Sequence, residues 1–396
     1  MKRNDLPACM GGEKTCDILS RWPRLDRKDI KQMAKLLKSG KIAKSNGVYN
    51  ERLEKETARR NGRKYAITIN NATVGLELAL RGLGIGAGDE VIVPAYTFYS
   101  SVSSIVAVGA IPVICDIDKD TMLLSDGFVN CITDKTKAVM AVDWGGLTAE
   151  IPRLRHLIGE RNIKIVVDSA QSFGSIGAEG SDYGDVSVYS FQKSKNLTCG
   201  EGGAIATDDE KLYQYIYSLH NCGRAENSKW YEHRYNGTNA RLSELCACLA
   251  VSQLEQFDKQ AELRQHNAEY FISELKDSKI FRILQTKKTD RRRVYHYLPV
   301  QCDTQYGTAE DYVRFLRSEG VPVIPSYEKT CDMQEAFLSS NGRCGEEISV
   351  AHSLCGSVIL FPHELLLVGE KNAALIVTAF KKIEKYILAT KEETNG

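Results

Sequence analysis

Three short segments carry residues that could do chemistry together. In Ile165-Val-Val-Asp168-Ser-Ala-Gln171 an aspartate stands directly after an apolar run. A carboxylate at the carboxyl end of a buried strand lies where open α/β sheets place their ligands, although the plainer role is a helix N-cap. In Ser190-Phe-Gln192-Lys193-Ser194-Lys195-Asn-Leu-Thr-Cys-Gly200-Glu201-Gly202-Gly203 a lysine sits between a strand and a glycine-rich tail. A lysine just past a strand is more often a solvated surface residue. The glycines change that weighting, because they let backbone come close to something bulky. A lysine held in such a place loses its charge by desolvation and acts as a nucleophile or base. The third segment, Ile69-Asn70-Asn71-Ala72-Thr73-Val74-Gly75, joins a strand to a helix. Free N–H groups at a helix N-terminus, with a threonine hydroxyl, form a phosphate cradle. Taken alone, Asn71 or Thr73 would be read simply as a cap.

The elements that must hold these segments alternate from about residue 64 to 220. Strands are expected at 64–69, 90–95, 111–117, 138–143, 163–168, 185–191 and 203–207, with helices at 73–83, 98–108 and 153–161. Runs of Val and Ile with turn signals between them imply buried, mostly parallel strands flanked by helices. Residues 242–275 are long, periodic and charged, and predict a long helix or a helix pair. Beyond about residue 280 strands are fewer and the helices amphipathic. The expected architecture is therefore α/β: a large domain over 1–255, with an N-terminal arm of about thirty residues, and a smaller C-terminal α+β domain over 256–396. The basic run Lys287–Arg293 is expected to be a solvated surface loop.

Bulk properties remove several classes of function. The chain has 396 residues, with 52 Lys plus Arg against 51 Asp plus Glu. So even a balance gives no field to hold nucleic acid or an anionic membrane. The twelve cysteines are scattered, and several fall in core-like runs such as that ending at Cys115. They read as reduced thiols. No pair shows Cys-x2-Cys spacing, and Cys246-x-Cys248 alone is a poor zinc signal, so no metal is expected. The first residues lack an apolar core, and the most apolar stretch, 100–115, contains four serines and a proline. The expectation is a soluble, cytoplasmic protein.

Asp168-x-x-Gln171, the Ser190 to Gly203 segment with Lys195, and Gly-Asp-Glu-Val-Ile-Val-Pro-Ala-Tyr-Thr-Phe at 88–98 form a set. In types and spacing the chain resembles the DegT/DnrJ/EryC1/StrS aminotransferases, fold-type I pyridoxal-phosphate (PLP) enzymes of sugar and antibiotic biosynthesis. The resemblance runs from about residue 20 to the C-terminus and is densest over 64–245. It implies that Lys195 forms the internal aldimine with PLP and later shuttles a proton. It implies that Asp168 pairs with the pyridinium nitrogen, keeping it protonated so that the ring can accept electrons. Phe98 would stack on the ring. The Ala72 and Thr73 backbone with the Ser190 hydroxyl would hold the phosphate, and Gln171 and Gln192 would lie near the ring and its substituents. Asn239, in Asn236-Gly-Thr-Asn-Ala-Arg241, would touch the phosphate of the neighbouring subunit, which makes the protein a homodimer with shared sites. A polar turn before a helix is the plainer reading of that segment. The implied reaction moves an amino group from an L-amino acid, glutamate or glutamine, to a keto or aldehyde carbon of a sugar, nucleotide sugar, sugar acid or cyclitol.

Three departures lie near where relatives bind substrate. Val142-Asp143-Trp144-Gly145-Gly146 stands where relatives often carry a histidine, Ala240 replaces a usual aromatic, and Ser326-Tyr327 replaces a His-Tyr pair. A PLP dehydratase of keto sugars would replace the lysine by histidine, whereas Lys195 is present. A dinucleotide-binding oxidoreductase is hinted at by Gly82, Gly84, Gly86 and Gly88, but these follow a helix and precede a strand, the reverse of the required order. A non-catalytic binding or regulatory module on the same fold stays open, because fold alone never proves activity.

Overall fold

The computed structural model describes residues 5–18, 21–177, 183–229, 231–286 and 290–395. In chain order its helices are α1 (Arg27–Ser39), α2 (Tyr49–Arg60), α3 (Ala72–Gly82), α4 (Ser100–Ala107), α5 (Ile151–Ile158), α6 (Glu210–His220), α7 (Glu244–Leu275), α8 (Ala309–Ser318), α9 (Glu335–Leu338), α10 (Ser349–Leu354) and α11 (Glu370–Asn395). Its strands are β1 (Tyr65–Ile69), β2 (Glu90–Pro94), β3 (Ile111–Cys115), β4 (Thr136–Val142), β5 (Lys164–Asp168), β6 (Val186–Ser190), β7 (Gly203–Thr207), β8 (Phe281–Ile283), β9 (Tyr297–Cys302), β10 (Ile324–Pro325), β11 (Arg343–Cys344) and β12 (Val358–Pro362).

Eight strands form the main sheet in the order β1-β7-β6-β5-β4-β2-β3-β11. Every pairing from β6 to β11 is parallel, and β7 lies antiparallel to both its neighbours. The central strands β2 and β6 are buried at every residue, as expected where helices cover both faces of a sheet. Helix α3 begins because Asn71 caps it, accepting from the Val74 N–H at 2.9 Å. It lies tight on the sheet at Gly75, where a Cβ would meet the Ile69 side chain at 2.3 Å and that of Val188 at 2.7 Å.

The second sheet is antiparallel, in the order β10-β12-β9-β8, and shares a core with α8, α11 and the distal half of α7. Helix α7 is one uninterrupted helix of 32 residues, capped by Ser243, and it runs from the first core into the second.

The two units interleave more than a single cut in sequence provides. Cys16 and Ile18, from the arm assigned above to the large domain, lie in the second core, tied through backbone bonds to Glu319 and Gly320. In the opposite direction Cys331, Phe337, Ile348, Ala351 and Leu354 join the core of the main sheet, and β11 extends that sheet beside β3. The basic run also departs from expectation. Residues 287–289 lie outside the described residues. Arg292 pairs with Asp258 at 2.7 Å, and Arg293 is buried against Gln285 and the Gly145 carbonyl. Asp258, Gln285 and the Gly145 carbonyl take most of the hydrogen bonds of these guanidinium groups, and Arg293 Nε is buried without a partner among the described residues. The twelve cysteines are free thiols, and no helix among the described residues is long and apolar enough to cross a membrane.

Candidate active site

Strands β4, β5 and β6 are parallel neighbours, so their carboxyl ends open on one edge of the sheet. Asp168 ends β5 and is only 6% exposed. Its carboxylate accepts from the Ser101 hydroxyl of α4 at 2.7 Å and from the Ala170 N–H at 3.2 Å. Burial pushes this carboxyl up from its ordinary range, while Ser101, Ala170 and Lys195 pull the other way. Lys195 lies in the turn after β6 and makes no side-chain hydrogen bond or ion pair among the described residues. Burial lowers its pKa from 10.5 to about 8, against the opposing pull of Asp168. It therefore gives up its proton far more readily than a solvated lysine, close to a buried acid.

The cradle assembles around this pair. With Asn71 satisfying Val74, the N–H groups of Ala72 and Thr73 at the head of α3 take no partner among the described residues. The Thr73 hydroxyl meets the Ser100 hydroxyl at 2.9 Å. Ser190 closes β6 and is nearly buried, and its Oγ accepts from the Gln192 N–H at 3.3 Å. Gly203 opens β7 where a Cβ would stand 3.1 Å from the Ala72 nitrogen, so only glycine lets strand and helix end come this close. Asn70 Oδ1 is buried here without a partner among the described residues. Phe98 is 63% exposed although residues 90–97 before it are nearly all buried, and it precedes the helix whose Ser101 binds Asp168. The two glutamines are engaged with the protein itself. Gln171 Oε1 accepts from the Gly145 N–H at 2.7 Å, and Gln192 Oε1 accepts from Ser194 N and Oγ, each at 2.8 Å, shaping the turn before Lys195. Asn239 is exposed, in a bridge with Asn221.

The side of the Lys195 turn facing away from this cleft was not foreseen from sequence. The Trp22 indole donates to the Lys195 carbonyl at 3.1 Å. His363 Nε2 donates to the Ser194 carbonyl at 2.9 Å, and its Nδ1 accepts from Arg264 at 3.2 Å. Asn196 donates to the carbonyls of Val294 and Tyr295 and accepts from His296. Burial and the neighbouring cations push both histidines well below 6.5, so both are neutral. The signal available in sequence was the isolated Trp22-Pro23 and two histidines flanking apolar strands, which on their own read as core residues.

An aromatic wall also stands at the junction of the units: Tyr96 lies 5.9 Å from Trp144 and 5.2 Å from Tyr327, and Trp144 lies 6.2 Å from Tyr297, between ring centres. The departures at Trp144 and at Ser326-Tyr327 thus pack into one aromatic cluster around the buried Tyr96, whose hydroxyl donates to Ser326 at 2.8 Å. Asp143, just before Trp144, is tied down by Ser169, Ser172 and the Ala149 N–H, and burial raises it to about 6.

Residues 23–380 match the DegT/DnrJ/EryC1/StrS aminotransferase family. The chain belongs to that family. A GDP-perosamine synthase of Vibrio cholerae is 38% identical over 256 residues, which cover 64% of this chain and 69% of that one. An L-glutamine:2-deoxy-scyllo-inosose aminotransferase of Streptomyces kanamyceticus is 30% identical over 91% of this chain and 92% of its own length. Among solved structures an aminotransferase from Psychrobacter cryohalolentis superposes with a TM-score of 0.87 and 26% identity, covering 93% of this chain and all of that one. The family makes the chain an aminotransferase with pyridoxal 5′-phosphate as its cofactor. The site fits that group. The unpartnered N–H groups of Ala72 and Thr73 suit a phosphate, the exposed Phe98 suits a ring face, and the buried Asp168 and half-buried Lys195 suit a ring nitrogen and an aldehyde.

Proposed function

We propose that this protein transfers an amino group from glutamate or glutamine to a keto or aldehyde carbon of a sugar, nucleotide sugar, sugar acid or cyclitol. The observation that carries the reading is Lys195, a desolvated amine with its pKa lowered to about 8, set beside Asp168 at the strand ends. When bound, PLP supplies a conjugated ring that takes up the electron pair left when a C–H bond of the substrate is deprotonated. The residues of this chain do the rest. Ala72 and Thr73 N–H with the Ser190 hydroxyl hold the phosphate at the head of α3. Asp168 keeps a proton on the ring nitrogen, and Ser101 fixes the orientation of its carboxylate. Lys195 Nζ, once free, takes the proton from the substrate carbon of the donor and returns one to the acceptor, a role that requires a pKa near the working pH. Phe98 and the partly exposed Tyr297 and Tyr327, backed by the buried Trp144, exclude water from the reacting carbon. That wall is suited to the C–H face of a ring-shaped acceptor, in keeping with the sugar and cyclitol activities of the relatives.

Asn239 serves the site of a second subunit in this reading, so the working unit is a homodimer in the cytoplasm. The exposure of Tyr231, Tyr235 and Asn239 in one segment supports a partner surface there. The test is the visible absorption of the purified protein before and after L-glutamate, with no acceptor present. The expected result is a cofactor band that fades as the amine is taken up. A band unmoved by glutamate and by glutamine would remove the proposed donors, and absence of a band after added PLP would remove the enzyme reading.

A further inference from the structure

Away from the amino-transfer site, two thiols and a carboxylate meet at the edge of the main sheet. Cys115 closes β3, Cys131 ends the short 3-10 helix Asp126–Cys131, and Glu346 follows β11. Their ligand atoms, one from each side chain, all lie within 4.8 Å of one another. Among the described residues no other three His, Cys, Asp or Glu side chains come together in this way. Both cysteines are buried, and Glu346 is half-buried. Glu346 Oε1 accepts from the Asp116 N–H at 2.9 Å and lies 3.5 Å from the Ser125 hydroxyl, which fixes the carboxylate. Its Oε2 has no hydrogen-bond partner among the described residues. Two glycines give these side chains room to meet. A Cβ on Gly127 would stand 2.5 Å from Glu346 Oε2, and one on Gly345 would stand 2.7 Å from Cys131 Sγ. Neither glycine has a positive φ, so space and not backbone conformation is what they supply.

Buried thiols commonly act as small inert hydrophobes. That role accounts for the sulfurs and leaves the carboxylate unexplained, because an oxygen turned toward two thiols loses water and gains little from them. Burial raises both thiols above their ordinary range, so without a cation they keep their protons. We propose that Cys115, Cys131 and Glu346 bind one zinc ion. Two soft thiolates with one carboxylate oxygen suit that borderline cation and not Mg2+ or Ca2+, which take oxygen ligands. Three protein ligands and one water complete its tetrahedron. Binding releases the two thiol protons to solvent. Arg343 of β11, which donates twice to Glu90 at 3.0 Å, adds positive charge beside the thiols and offsets the excess negative charge of the occupied site. The ion ties β3, the 3-10 turn and the returning β11 segment into one knot. The Cys115 carbonyl accepts from the Ala95 N–H at 2.9 Å, so the knot also backs the segment that leads to Phe98. No short spacing marks the site, because its third ligand comes from a remote part of the chain.

The test takes the full chain with its cofactor, reduced, supplied with zinc and then dialysed. Metal analysis of the native protein is expected to give about one zinc per chain, and Cys131→Ser is expected to retain at least about ten-fold less. Thermal melting with and without zinc reads the same site independently of activity. Zinc should raise the midpoint of the native protein and leave that of Cys131→Ser unmoved. Native protein that retains no zinc, or a folded Cys131→Ser protein that retains as much as the native one, overturns the proposal. Should that variant not fold, X-ray absorption at the zinc edge of the native protein decides. Two sulfur neighbours at about 2.3 Å, with oxygen completing the shell, are expected. A shell with fewer than two sulfurs places the ion elsewhere and overturns the proposal equally.

Discussion

The two sides of the Lys195 turn are built on opposite principles. The side facing the cleft is under-bonded: among the described residues Lys195 Nζ, the Ala72 and Thr73 N–H groups and Asn70 Oδ1 have no partners, and Phe98 lies open. The side facing the second unit is bonded through its backbone, with Trp22 on the Lys195 carbonyl, His363 on that of Ser194, and Asn196 on two more. The difference teaches a division of labour. Unsatisfied groups wait for a ligand, and they can be held in a costly state only because the chain beneath them is over-determined.

Substitutions on the open side should alter turnover and leave the fold alone. The largest effect is expected for Lys195→Ala, a loss of amino transfer of at least about 10³-fold, the scale of losing a nucleophile and proton carrier together. Single-turnover assays check it, and full turnover by this variant would refute the assignment. Asp168→Ala should lower rate and PLP retention together, by about 10²-fold in rate. Dialysis followed by absorbance reads the retention, and unchanged values for both would remove Asp168 as the partner of the ring nitrogen. A mixed dimer of Lys195→Ala and Asn239→Ala chains tests sharing between subunits. One native site should reappear, so activity should exceed that of either parent.

Substitutions on the bonded side should do the reverse and act first on stability. His296 and His363 have folded pKa values well below the ordinary 6.5. Below 6.5 the unfolded chain takes up protons that the folded chain refuses, so their stabilisation is complete above that pH and is lost as the pH falls, by up to about 1.4 kcal/mol per pH unit for each ring. Asp143 and Asp290, both raised to about 6, act with the opposite sign as the pH falls below 6. The difference between the native protein and His363→Phe therefore isolates one ring. Urea titrations at pH 6.5 and 5.5 should show a shallower slope for the variant, and equal slopes would show that His363 titrates normally. The smallest effect is expected for Trp22→Phe, which removes one hydrogen bond to the Lys195 carbonyl at a cost of about 1 kcal/mol. Thermal melts check it, with a change in kcat smaller than that of any substitution in the cleft.

The same contrast explains what was legible in sequence. The main sheet was readable because its buried strands are continuous apolar runs, and the open side of the site because its residues fall in short segments with a family's spacing. Trp22, Arg264, His296 and His363 were not, because each is an isolated polar or aromatic residue whose partner lies far away in the chain. His363 meets Ser194 across 169 positions, and Trp22 meets Lys195 across 173. The basic run departs from a solvated loop for the same reason: Arg293 is buried because Gln285 and the Gly145 loop receive it, and no local pattern records that.

The return of residues 331–354 to the main sheet, after the chain has already built β8 and β9 of the second, has a mechanical consequence. The two units are stitched at α7 and again at β11, so they cannot swing apart about a single pivot. Neither half should survive expression by itself, because cutting the chain anywhere between 276 and 330 leaves one sheet without its edge and the other without part of its core.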